Sequence, residues 1–192
     1  MAVTGEEEGL IGSDYFANRP GVPAGSIVAN INIDEDQMLW PLRSLIVYGA
    51  EHSSLQKPVG EVAASMGLKL DPDPEPEQVT FVRSDQYSFV QRGVPSIMPV
   101  PGLASTDAGI DPKALLERWQ TTRYHQVGDD MQQPGLDFDS AARFAEFIRR
   151  VGAAVAQDPR RSTWNDGDFF GTQFGAQARG GTPSPAQPPP PR

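Results

Sequence analysis

Ala2-Val3-Thr4-Gly5-Glu6-Glu7-Glu8-Gly9-Leu10-Ile11-Gly12-Ser13 sets three consecutive acids between a short apolar step and a glycine-rich run. Ala2-Val3-Thr4 reads as the last residues of a buried strand. Ile11 to Asn18 reads as a short helix, ended by Arg19-Pro20 because proline disfavours helix before it. Carboxylates between a strand end and a helix occupy the crevice where open α/β sheets hold their ligands. Gly9 and Gly12 suit a tight strand-to-helix turn, in which small residues let the backbone approach closely. The same acids also suit the first turn of a helix, where they oppose the macrodipole.

Downstream, strands alternate with helices. Ser26 to Ile33 alternates apolar with small or polar residues and predicts a strand ending at Asp34. Ser44-Leu45-Ile46-Val47-Tyr48-Gly49 is a continuous apolar strand of the fully buried kind. Ser53 or Ser54 starts a helix running to about Met66. Ser84 caps a short helix through about Gln91, and Val94 to Val100 is a strand whose prolines place it near an edge. Asp111 and Pro112 are cap and first position of a helix from Lys113 to Thr121. Ser140 to Ala156 is the strongest helix, with Phe144, Phe147, Ile148, Val151 and Val155 on one face and Arg143, Glu146, Arg149 and Arg150 mostly off it. This order predicts an α/β three-layer sandwich around a central mixed, mostly parallel sheet. Residues 1–157 make the domain, and 158–192 form an extension ending in a disordered Gly/Pro-rich tail.

The 192 residues suit one domain plus a tail. A net charge of -9 argues against nucleic acid as a partner, since phosphate binding needs a basic surface. The absence of cysteine excludes disulfides and thiolate metal sites. No apolar run approaches the ~18 residues of a membrane span. The N-terminus lacks the basic and apolar regions of a signal peptide. These features assign neither a compartment nor an oligomeric state.

Several residues can carry chemistry. Asp34, beside Glu35 and Asp36, is either an ordinary turn residue or a carboxylate ligand aimed into the crevice of Glu7. His52 reads as a polar loop residue. His125 lies in Tyr124-His125-Gln126-Val127-Gly128-Asp129-Asp130, where Asp129 or Asp130 can orient its imidazole as carboxylates do behind metal-bound histidines. Ser84-Asp85-Gln86-Tyr87 opens a helix and serves either as a plain cap or as a seat for an anionic or carbonyl group.

Taken in order, Glu6-Glu7-x-Gly9-Leu10-x-Gly12-Ser13, Asn32-x-Asp34, Ser84-Asp85-x-Tyr87-x-Phe89 with Gly93-x-Pro95, and Tyr124-His125-x-x-x-Asp129-Asp130 form a pattern. It resembles the co-catalytic zinc aminopeptidases, the family of bacterial leucyl-type aminopeptidases and glutamate carboxypeptidase, over about residues 1–155. The resemblance implies a metallo-exopeptidase that removes N-terminal residues from a peptide substrate. Two zinc ions about 4 Å apart would share a water. Glu6 would be the general base, Glu7 and His125 would hold one zinc, and Asp34 the other. Ser84, Asp85 and Tyr87 would lie at the substrate, and Glu8 has no role. Relatives also carry a His, in His-x-Asp, and a metal-bridging Asp, both before the Glu-Glu pair. The expectation is therefore an N-terminally truncated zinc-peptidase domain, the C-terminal part of the catalytic unit, with little activity alone. Gln86 stands where many relatives have a His, and Trp164 to Gly171 is similar to a segment of a bacterial subgroup. Intact relatives are often secreted or periplasmic. The alternatives are a non-catalytic interaction module on the same scaffold, with the proline-rich tail as its contact segment, and a glycosidase with paired acids. The last leaves the spacing of Asp34 and His125 without explanation.

Overall fold

The computed structural model describes residues 1–34 and 38–177. Among them four strands, β1 (Asn30–Ile31), β2 (Ser44–Tyr48), β3 (Lys69–Leu70) and β4 (Ser96–Pro101), form one sheet in the order β1-β4-β2-β3. β1 runs parallel to β4 and β3 parallel to β2, whereas β2 and β4 are antiparallel. The helices are α1 (Ile11–Asn18), α2 (Gln56–Ser65), α3 (Gln86–Val90), α4 (Pro112–Thr122), α5 (Phe138–Gln157) and α6 (Phe169–Phe174).

Side chains alternate across a strand, and both faces of the central pair are buried. Leu45 and Val47 of β2 and Ile97 of β4 join Leu55, Val59 and Ala63 with Phe144, Phe147 and Val151 in one core, which holds α2 and α5 to that face. Ile46, Met98 and Val100 point the other way and are buried too. α3 packs on β4 and β1. A second cluster of Ala17, Phe89 and Val94, flanked by Phe16 and Ile27, fastens α1 to α3. Helices on both faces make the expected α/β sandwich.

Where the expected elements differ, the backbone supplies the reason. β4 lies in the middle of the sheet and not near an edge. Gly102 N–H donates to Ser44, whereas the carbonyls of Pro95 and Ile97 accept from Asn30 and Asn32. Donors of residues 98, 100 and 102 therefore face β2, and those of 97, 99 and 101 face β1. Pro99 and Pro101 spare the β2 ladder and lack N–H groups only on the side of β1. Asn32 is the last residue of β1's partner ladder, because the next donor on that side would belong to Pro99. The strand predicted over Ser26 to Ile33 is accordingly reduced to Asn30–Ile31, and Ala24–Ser26 is a 3-10 turn.

α5 starts earlier than its apolar pattern, at Phe138, because the Asp137 side chain accepts from Ser140 N–H at 2.9 Å. Arg143, on its flank, is half-buried. It donates to the carbonyls of Met66 (2.7 Å) and Leu42 (3.3 Å), tying the end of α2 to the start of β2. Asp111 caps α4 as expected, accepting from Ala114 N–H at 3.2 Å. No helix of the described residues is long and apolar enough to cross a membrane. Most of the expected Gly/Pro-rich tail lies outside the described residues.

Phe147 is fully buried and Phe138 is 55% exposed on the same helix. Phe147→Ala is expected to cost ~3–5 kcal/mol and to lower the thermal midpoint by roughly 10 °C. Phe138→Ala stays within about 0.5 kcal/mol. Thermal unfolding of both variants checks the packing of α5; equal shifts would contradict it.

Candidate active site

The acidic run forms a turn, not a strand end or a helix start. Ala2-Val3-Thr4 belongs to no strand: the Thr4 and Gly5 carbonyls accept from Gly12 and Ile11 N–H at 2.9 and 3.0 Å. The Glu6 carbonyl accepts from both Gly9 and Leu10. Gly5, Gly9 and Leu10 all have positive φ, and Leu10 at +61° is held left-handed as the N-cap of α1. A Cβ at Gly12 would come within 2.4 Å of the Thr4 carbonyl oxygen, so only glycine lets the incoming chain lie against α1. The Ser13 hydroxyl is buried 2.9 Å from that of Ser88, which locks α1, and the turn before it, to α3.

Glu6 is half-buried at the centre of a group of charges. Its carboxyl is pushed above the usual carboxylate range, first by burial and then by the negative charges of Asp34, Glu7 and Asp85, while His125 acts in the opposite sense. Glu7 points outward, with Oε1 2.7 Å from His125 Nε2. His125 has φ +58° and stacks on Tyr124 with ring centroids 3.8 Å apart. Tyr124 in turn meets Trp119 of α4 at 4.9 Å. Arg123 closes the loop by donating to the Gly128 carbonyl at 2.8 Å. Asp129 and Asp130 accept instead from the Gln133 side chain and Gln132 N–H, so the recorded partner of the imidazole is Glu7 and not the expected aspartates.

Asp34 stands exposed just beyond β1, at one wall of a groove of about 340 Å³ lined also by Met38, Trp119, Tyr124, Asp129 and Met131. Glu35 and Asp36 lie outside the described residues. Ser84 is buried, and its hydroxyl accepts from Asn32 Nδ2 at 3.0 Å and from Asp85 N–H at 2.6 Å. Asp85 Oδ1 is buried without a hydrogen-bond partner. Tyr87 is half-buried, its ring 6.5 Å from that of Phe174. Gln86, fully buried, is a brace: Oε1 accepts from Asn32 at 2.8 Å and Nε2 donates to the Phe81 carbonyl at 2.8 Å.

The fold thus brings Glu7, Asp34, Asp85 and His125 within electrostatic reach of Glu6. Imidazole and carboxylate are donors that zinc accepts, and Glu7 and His125 present one of each side by side. Among the described residues no three such side chains converge on one point. Sequence reasoning overlooked a second histidine site: His52 Nδ1 lies 2.7 Å from Asp168 Oδ2, between the rings of Phe81 and Phe170. Asp168 before Phe169-Phe170 was a readable N-cap signal. Nothing in the local sequence of His52 announced its partner.

Native Glu6 holds its proton to higher pH than the unfolded chain. Between its ordinary value of 4.5 and that raised value the native state binds more protons, and stability falls as pH rises. Glu6→Gln is therefore expected to raise the melting temperature near pH 7, with the gain shrinking toward about pH 4. Thermal scans in chelator at both pH values test this; a variant less stable at neutral pH would contradict the crowding.

No curated protein matches the chain. Residues 1–152 match peptidase family M28, the co-catalytic zinc aminopeptidase and carboxypeptidase family. The match takes in the acidic turn, the end of β1, α3 and the His125 loop together, and on that ground the protein belongs to peptidase family M28 and is a metallopeptidase.

Proposed function

We propose that the protein is a zinc-dependent metallo-exopeptidase of the aminopeptidase type, with Glu6 as its general base. The observation that supports this most is the burial of Glu6 among the charges of Asp34, Glu7 and Asp85, which raises the proton affinity of one carboxylate among several. Glu7 and His125 would hold one zinc and Asp34 would contribute to a second. When bound, zinc polarises a peptide carbonyl and lowers the pKa of a water. The Glu6 carboxylate accepts the proton of the attacking water and delivers it to the leaving amine nitrogen as the C–N bond breaks. Asp85, with its unpartnered Oδ1, together with Ser84 and Tyr87 would hold the peptide. Left-handed His125 fixes the ring against Tyr124, which presents Nε2 toward Glu7.

The resemblance also calls for a His and a bridging Asp ahead of the Glu-Glu pair. On this reading Glu6, Glu7, Asp34 and His125 are members of that larger family set. A second reading, a non-catalytic interaction module, is favoured by the direct Glu7–His125 pairing, in which the two donors satisfy each other.

Metal analysis after dialysis against zinc separates these readings. His125→Ala is expected to lose bound zinc, and unchanged stoichiometry would overturn its assignment. With aminoacyl-nitroanilides, Glu6→Gln should reduce whatever rate the chain has by about 10²–10⁴-fold. A rate unchanged by Glu6→Gln would overturn its assignment as general base.

A further inference from the structure

Residues 162–174 lie beyond the family match, yet they are fastened to it at both ends. Ser54 N–H donates to the Thr163 carbonyl (2.8 Å), and Thr163 N–H to the Ser54 hydroxyl (3.0 Å). Asn165 N–H donates to the His52 carbonyl (3.0 Å), and its side chain to that of Glu51 (2.7 Å). Trp164 Nε1 donates to the carbonyl of Gly93, in the turn between α3 and β4 (2.9 Å). Phe174 then reaches Tyr87 of α3.

Asp168 stands in the middle with two duties. Oδ1 accepts from Phe170 and Gly171 N–H at 2.9 and 3.1 Å, which starts α6, while Oδ2 takes His52. That fixes Phe170 against His52 and Phe81, centroids 4.9 and 5.2 Å away. Phe81 packs closely on Gly49, its ring filling the space where a Cβ there would lie. From Phe81 the contacts continue inward. Its carbonyl holds Gln86, Gln86 and Ser84 both accept from Asn32, and Asn32 precedes Asp34 on the same chain end.

We propose that residues 162–174 are a strap that positions α3 and the end of β1, with Asp168 as a positioning residue acting through His52 and Phe81. Its consequence for catalysis rests on the assignment of Asp34, Ser84 and Tyr87 above; its mechanical part does not. The strap fixes the segment from Phe81 to Gly93 from outside, while the Asn32–Gln86–Ser84 bonds pass that restraint to the site.

Hydrogen–deuterium exchange on the full-length protein tests it. Asp168→Ala is expected to speed exchange on the order of tenfold in 162–174 and also in 81–93, as loss of a charged hydrogen bond implies. Exchange in β2 and α5 stays unchanged. Asp168→Asn keeps a cap acceptor and should restore much of the protection in 81–93. Faster exchange confined to 162–174, or uniform across the chain, would overturn the proposal. With Leu-p-nitroanilide, Asp168→Ala should raise KM more than it lowers kcat. A fall in kcat alone would overturn the link to substrate positioning. If the wild-type chain shows no hydrolysis, exchange alone decides the strap.

Discussion

Past Ile97, β4 can offer backbone donors to β2 but none to β1, because Pro99 and Pro101 carry no N–H. The strand stays paired where pairing matters most, along the antiparallel ladder buried on both faces. Its other partner must leave the sheet after Asn32. The chain then turns outward at the sheet's end, and Asp34 is delivered, exposed, beside Glu6. Asn32 takes over with its side chain where the backbone ladder stops, holding Ser84 and Gln86 of the neighbouring helix start. One missing donor thus sets the position of a candidate ligand and the brace behind it.

Around that point the fold gathers like charges. The carboxylates are kept separable by exposure: Glu7 and Asp34 face water, which screens them, while half-buried Glu6 bears most of the mutual repulsion. Glu7 is relieved by His125 across a contact joining distant parts of the sequence. Each partner is presented by a loop with a left-handed non-glycine residue, Leu10 on one side and His125 itself on the other. Such backbone conformations cost of order 1–3 kcal/mol and persist only where the surroundings over-determine them. Gly12 and Ser13 do so for the first loop, and Arg123 and Tyr124 for the second.

What the sequence made readable was governed by local rules. The apolar face of α5, the Asp111 cap and the buried strand β2 each follow from periodicity or from one side chain's reach, and each is found. The family was legible in the order of its motifs, and the match across residues 1–152 shows that family. What failed was long-range. Whether Pro99 marks an edge depends on which neighbour needs its donor, and that is decided by pairing, not by composition. Ala2-Val3-Thr4 looks like strand because its residues favour extension, but the Thr4 carbonyl is taken by Gly12 of α1. His52 and Asp168 lie far apart in the chain, and no spacing rule connects them. Arg143 was placed mostly off the apolar face, yet it is half-buried and its head donates to the Met66 carbonyl at the end of α2.

The docking of residues 162–174 has a bearing on the protein's outer surface. Phe170 packs against the rings of His52 and Phe81, Phe174 against that of Tyr87, and Trp164 against Phe170. A domain cut at the family limit would leave those aromatic groups, and the Gly93 carbonyl, facing water as one contiguous patch. Patches of that kind drive self-association. Residues 162–174 therefore screen these rings from water as well as restraining α3.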